Sequence, residues 1–103
     1  MKNVYTATIH AQCPVDDSWD YYSVVITSKH EIRCETITEA LNQVRGRKLT
    51  QENVAQSIDQ RLDALLEQAD WAPDLYNYEL ELVGVHPQGV TVCSSLNRTH
   101  SPG

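Results

Sequence analysis

Apolar and polar residues alternate along several stretches of the chain and recur at helical spacing along two others. Residues 3–11 (NVYTATIHA) alternate around β-branched side chains and predict a strand, with Tyr5, Ala7 and Ile9 on one face and Thr6, Thr8 and His10 on the other. Residues 21–28 (YYSVVITS) give the densest strand signal. Lys29-His30 interrupts it, and residues 31–35 either continue it past a bulge or form a short extra piece. Thr36-Ile37-Thr38-Glu39 has the form of a capping box, and Ile37, Ala40, Leu41 and Val44 behind it predict a short helix over about 37–45. Arg45-Gly46-Arg47-Lys48 breaks that helix. Thr50 caps a longer one to about residue 69, with Val54, Ile58, Leu62, Leu65 and Leu66 as its buried stripe. Gln51, Glu52, Asp59, Arg61 and Asp63 fall mostly outside that stripe. Pro73 ends the helix, because the residue before a proline avoids helical geometry. Residues 76–85 (YNYELELVGV) alternate as a strand, His86-Pro87-Gln88-Gly89 is a turn, and residues 90–94 form a short closing strand.

The order strand, strand, helix, helix, strand, strand predicts an α+β fold. Two hairpins make one antiparallel four-stranded sheet, with both helices laid across one face. Residues 1–96 form this single domain, and residues 97–103 are a polar tail expected to fray. Long edge strands are left uncovered, and joining edges between subunits would cover them, so a homo-oligomer is expected.

Composition narrows the class. With 103 residues, 41% hydrophobic and 21% charged, the chain has the make-up of one globular domain, and without phenylalanine its core must be tyrosine, tryptophan, leucine and valine. No apolar run approaches a membrane span and no signal-peptide pattern opens the sequence, which points to a cytoplasmic protein. Three unclustered cysteines fit a reducing compartment and argue against a disulfide framework. The net charge of −6 argues against a broadly basic nucleic-acid-binding surface. No H-x-H or C-x-x-C pair occurs; His10-x-x-Cys13 is the one close spacing, so no metal is expected.

Chemistry concentrates in the connection between the first two strands, Cys13-Pro14-Val15-Asp16-Asp17-Ser18-Trp19-Asp20. A thiol opens it and a carboxylate closes it seven positions later. If the strands pair, the two ends approach across the hairpin mouth, where a nucleophile and a proton donor can meet. The plainer alternative is a buried cysteine beside a solvated acidic loop. His10 is near in sequence, yet positions three apart on a strand point to opposite faces.

The element order resembles the tunnelling fold of pterin- and purine-binding enzymes. Cys13-Pro14 followed by Asp20 is similar to the C-P-x5-D signature of the 7-cyano-7-deazaguanine nitrile reductases of queuosine biosynthesis. Glu35 stands where that family opens its E-x-K-S-x-K segment. Gln51-Glu52 resembles its His-Glu pair, and VGVHPQGV its closing strand and Pro-x-Gly turn. The departures are as informative. Thr36-Ile37-Thr38-Glu39-Ala40 lacks the lysines used toward NADPH, and Gln51 replaces the histidine. The chain is more similar to the reductase-like amidinotransferases of archaeosine synthesis, which keep the cysteine and aspartate without the NADPH segment.

The resemblance implies that Cys13 adds to the nitrile of a 7-deazapurine, free or in tRNA, giving a covalent thioimide while a protonated Asp20 supplies the nitrogen's proton. Burial beside Trp19 or Tyr21 would keep that acid protonated. Ammonia would then give an amidine with no cofactor; under the alternative, NADPH would give an amine. A third possibility is a non-catalytic purine- or pterin-binding module. Glu52 would accept both donors of the ring, with Glu35 and Gln51 beside it, although an acidic residue in a helix's first turn also simply complements its dipole. Arg45, Arg47 and Lys48 could meet phosphates or form a solvated loop. The family assembles as pentamers or decamers.

Overall fold

In the computed structural model, which describes residues 1–102, the first alternating stretch forms β1 (Asn3–Gln12) and the second forms β2 (Trp19–Ser28). They pair antiparallel from Asn3 opposite Ser28 to Gln12 opposite Trp19. Helices α1 (Cys34–Asn42) and α2 (Gln51–Gln68) follow, then β3 (Tyr76–Val85) and β4 (Thr91–His100). The sheet order is β1-β2-β3-β4, wholly antiparallel, with β2 and β3 joined across the helical connection. The order ββααββ and the helix-on-sheet layering are those of the tunnelling fold.

Period-two alternation decides which side chains enter the core. Ile9 and Ala11 of β1, Tyr22, Val24 and Ile26 of β2, and Tyr76, Tyr78, Leu80 and Leu82 of β3 face the helices and are buried. Val54, Ile58, Leu62 and Leu66 of α2 and Ile37, Ala40 and Leu41 of α1 close over them. No helix among the described residues is long and apolar enough to cross a membrane.

Several sequence expectations need correction. The closing strand runs to His100, so residues 97–100 belong to the sheet and not to a frayed tail. Their polar side chains have partners: Arg98 donates from Nε to Asp59 Oδ1 at 3.1 Å and forms a second contact to Oδ2, and His100 stacks on Tyr76 at 4.7 Å. Second, α1 begins at Cys34, so Thr36 and Glu39 lie inside the helix and form no capping box. Arg33 is the N-cap, without a side-chain bond, and its carbonyl receives the amides of Thr36 and Ile37. Residues 29–33 are a loop and not a further strand. Third, Gln51 and Asp59 of α2 are buried, because each has polar partners beneath the helix. The Thr50 cap is present, accepting from the Asn53 amide at 3.3 Å.

Candidate active site

The β1–β2 connection is short because it closes on itself. The Cys13 amide donates to the Ser18 carbonyl at 2.8 Å and the Asp17 amide to the Cys13 carbonyl at 3.0 Å. Asp17 takes the left-handed conformation (φ 60°), which aspartate tolerates better than most residues. Asp16 Oδ1 accepts from the Ser18 amide at 3.0 Å and its hydroxyl at 2.7 Å. The Ser18 hydroxyl, then its amide, and to a lesser degree the Cys13 thiol hold the Asp16 carboxyl below the usual carboxylate range.

Cys13 extends the core-facing positions of β1 by one step, and Asp20 is the core-facing residue opposite Ala11. The two are therefore diagonal neighbours on the helix-covered face, a relation that sets Cα atoms about 7–8 Å apart. Asp20 is buried, while Cys13 is half-buried. The sequence-predicted thiol and carboxylate lie on neighbouring core-facing positions at the turn end of the hairpin.

The expected aromatic neighbours do not accompany them. Trp19 and Tyr21 point to the helix-free face, 49% and 65% exposed, where His10 packs edge-on to Trp19 at 5.3 Å. Tyr22 stands beside Asp20 instead, its hydroxyl 3.4 Å from Asp20 Oδ2. Burial, the Asp20 charge and Cys13 push the Tyr22 phenol up to about 12, so it stays a neutral donor at neutral pH. Its ring lies over Gly84 of β3. A Cβ there would fall 2.6 Å from Tyr22 Cε1 and 3.1 Å from Gln51 Oε1, which only glycine avoids.

Gln51 carries the cluster onto the next strands. Its Nε2 donates to the carbonyls of Leu82 at 3.1 Å and Val92 at 2.8 Å, and its Oε1 meets His86 Nε2 at 2.8 Å. Both ends of the amide are occupied, so Gln51 anchors the start of α2 to β3 and β4. Glu52, the next residue, is exposed in the first turn of α2. Lys48 and its neighbours dock on the same end: the Gln12 amide donates to Arg47 O at 2.8 Å and the Leu49 amide to Gln12 O at 3.2 Å. Lys48 pairs with Asp17 at 2.7 Å, Arg45 donates to the Thr8 carbonyl and Asn42, and Arg47 donates to the Gln43 carbonyl.

Glu35 is not part of this cluster. It lies in the first turn of α1, beside an open hollow of about 760 Å³ lined by Asn3, Tyr5, Ile32 and Cys34 at the other end of β1. Ten strand residues separate those ends, on the order of 30 Å. Cys34 and Cys93 are exposed and remote from Asp20. One group of possible metal ligands is assembled by the fold and not by local spacing: Asp63 and Glu67 on α2 with His100 on β4. Asp63 already accepts from Tyr76 Oη at 2.6 Å and lies 3.7 Å from Arg98.

Sequence reading missed Tyr22, Gly84 and His86. The usable signals were a lone glycine inside an alternating strand and the even-numbered positions that put Tyr22 beside Asp20 and His86 beyond Gly84.

No family model matches the chain, and no curated protein matches it. Among solved structures it is similar to the crystal structure of the archaeosine synthase QueF-Like in the apo form, with a TM-score of 0.75 over 98% of this chain and 96% of that one. At 15% identity this likeness establishes the shared fold.

Proposed function

We propose that this protein acts on the nitrile of a 7-cyano-7-deazaguanine-type base, which Cys13 captures as a thioimide and ammonia releases as an amidine. The observation that carries the reading is the placement of Cys13 and buried Asp20 as diagonal neighbours on one face, at the start of α2, in a fold shared with an archaeosine synthase.

The proton balance of the first step closes within the pair. Sulfur adds to the nitrile carbon as the thiol gives up its proton, and the nitrile nitrogen gains one. Asp20, beside both, relays it. Tyr22 donates toward Oδ2 and leaves Oδ1 of Asp20 for the reacting atoms. Glu52, exposed at the same end, is the acceptor for the ring N–H and exocyclic amine. Gln51 positions Glu52 and does not contact the ring, since its amide already has three partners.

The reading takes the free base as substrate. Asp17 neutralises Lys48, Arg45 and Arg47 donate to main-chain carbonyls, and the chain carries a net charge of −6, all poor provision for a polynucleotide. It requires no NADPH, because in the segment that Glu35 opens the two lysine positions are held by Ile37 and Ala40, both buried in the core, and Arg61 is paired with Glu39. The unpaired edges of β1 and β4 make a homo-oligomer part of the reading, and only between copies can Glu35 approach the Cys13 end. Incubating the protein with 7-cyano-7-deazaguanine and either ammonium chloride or NADPH, then identifying products by mass spectrometry, tests the reaction. Amidine from the first mixture is expected; amine from the second would restore the reductase alternative.

A further inference from the structure

We propose that His86 is the base of the second half-reaction, taking a proton from the ammonia nitrogen as it adds to the thioimide carbon. This rests on the preceding reading of Cys13.

Position is the first argument. His86 follows β3 directly and shares the even-numbered, helix-facing side of Leu82 and Gly84. Tyr22 is opposite Gly84 in the ladder. Extending that register by two residues sets His86 level with Asp20, so a base flanks the acid on the strand away from Cys13. The turn holds it there: the His86 amide donates to Val90 O at 2.9 Å, and the Gly89 amide to His86 O at 2.8 Å. Gly89 has a positive φ of 84°, which its lack of a side chain permits.

The tautomer is the second. Gln51 Nε2 donates to two carbonyls, which fixes the orientation of its amide. Oε1 can only accept, so the hydrogen shared with His86 belongs to the imidazole Nε2. The neutral ring therefore carries its lone pair on Nδ1, which has no protein partner among the described residues. The Gln51–His86 bond prepares a base at Nδ1 where histidine could otherwise have protonated either nitrogen.

The step balances without a redox partner. Ammonia forms a bond to the thioimide carbon, and its nitrogen becomes positively charged. Nδ1 of His86 removes one proton from it. The carbon–sulfur bond then breaks, the electron pair leaves with Cys13, and the amidine departs. Water carries the proton from the imidazolium to the thiolate, restoring the neutral imidazole and the thiol.

Single-turnover experiments followed by intact mass separate the two halves. With 7-cyano-7-deazaguanine alone, His86→Gln should form the adduct within about threefold of the wild-type rate. On adding ammonium chloride, adduct decay in His86→Gln should be slower by about 10²- to 10⁴-fold, the range for loss of a general base. Exogenous imidazole should restore at least about tenfold of that loss in His86→Ala, which a merely structural role would not allow. Decay of the His86→Gln adduct at the wild-type rate would overturn the assignment and leave the Cys13 reading intact. Absence of any wild-type adduct would remove the reading and this inference together. Should neither variant fold, long-range ¹H–¹⁵N spectra of the wild type decide: a His86 ring protonated at Nδ1 and bare at Nε2 overturns the proposal, and the reverse supports it.

Discussion

Tyr22 lies across Gly84 so closely that a side-chain carbon on Gly84 would sit 2.6 Å from the ring. The contact brings β2 and β3 together beneath the start of α2 and aims the Tyr22 hydroxyl at Asp20. A glycine in a strand interior is a local weakness. Here it makes the room that the phenol and the Gln51 amide occupy.

Gly84→Ala should therefore destabilise the protein by about 1–3 kcal/mol, the usual range for overpacking. It should also slow adduct formation, because Tyr22 must move away from Asp20. Urea denaturation and adduct kinetics on the same preparation check both, and an unchanged midpoint with an unchanged rate would contradict the close approach.

Alkaline stability follows from three tyrosines. Tyr22 is raised from 10.0 to about 12, chiefly by burial and then by Asp20; Tyr76 and Tyr78 are raised further, by burial and by their bonds to Asp63 and Asp59. The unfolded phenols ionise near 10 while the folded ones keep their protons. Their contribution is thus fully present below pH 10 and is lost as pH rises from there through the folded values. Denaturation midpoints should fall steeply above about pH 10, and titration at 295 nm should show these phenols ionising only above that pH. Ionisation of all three near pH 10 in the folded protein would refute it.

Arg98 and Asp59 give a test of packing. Asp59 is buried and also accepts from Tyr78 Oη at 2.7 Å, while Arg98 is about one-third exposed. Arg98→Met should cost about 1–3 kcal/mol, less than for a fully buried pair because solvent screens the guanidinium. A double-mutant cycle with Asp59→Asn should give a coupling above about 0.5 kcal/mol. A coupling of zero would mean that residues 97–100 fray after all.

How legible the molecule was depends on which residues carry the pattern. The first three strands and α2 could be read because apolar residues such as Ile9, Val24, Leu80 and Ile58 dominate the strand or helix period of each. The end of β4 could not, because Asn97, Arg98 and Thr99 look like loop until Asp59 is known to lie beneath Arg98. Gln51 and Asp59 were misplaced for the same reason, since a buried polar side chain shows in sequence only through partners that are distant along the chain. At the candidate site, the nearness of Cys13 and Asp20 along the chain fold was legible because one hairpin supplies both. Tyr22, Gly84 and His86 depend on the β2–β3 register, which bridges the whole helical pair.

Asp20 and Glu52 should separate by function. Asp20→Asn should leave ring binding nearly unchanged and slow thioimide formation by about 10²- to 10⁴-fold. Glu52→Gln should do the reverse, weakening binding by about 10- to 100-fold for a lost charge-assisted bond. Titrations of binding and of adduct rate on both variants check this. Wild-type adduct rates in Asp20→Asn would remove its role as proton relay.

The most direct test of the central claim is intact-mass measurement after mixing the protein with 7-cyano-7-deazaguanine in the absence of ammonia. The account predicts one added substrate mass on the wild type, on Cys34→Ala and on Cys93→Ala, and none on a folded Cys13→Ala. A wild type that gains no mass, or an adduct that survives in Cys13→Ala, would contradict it.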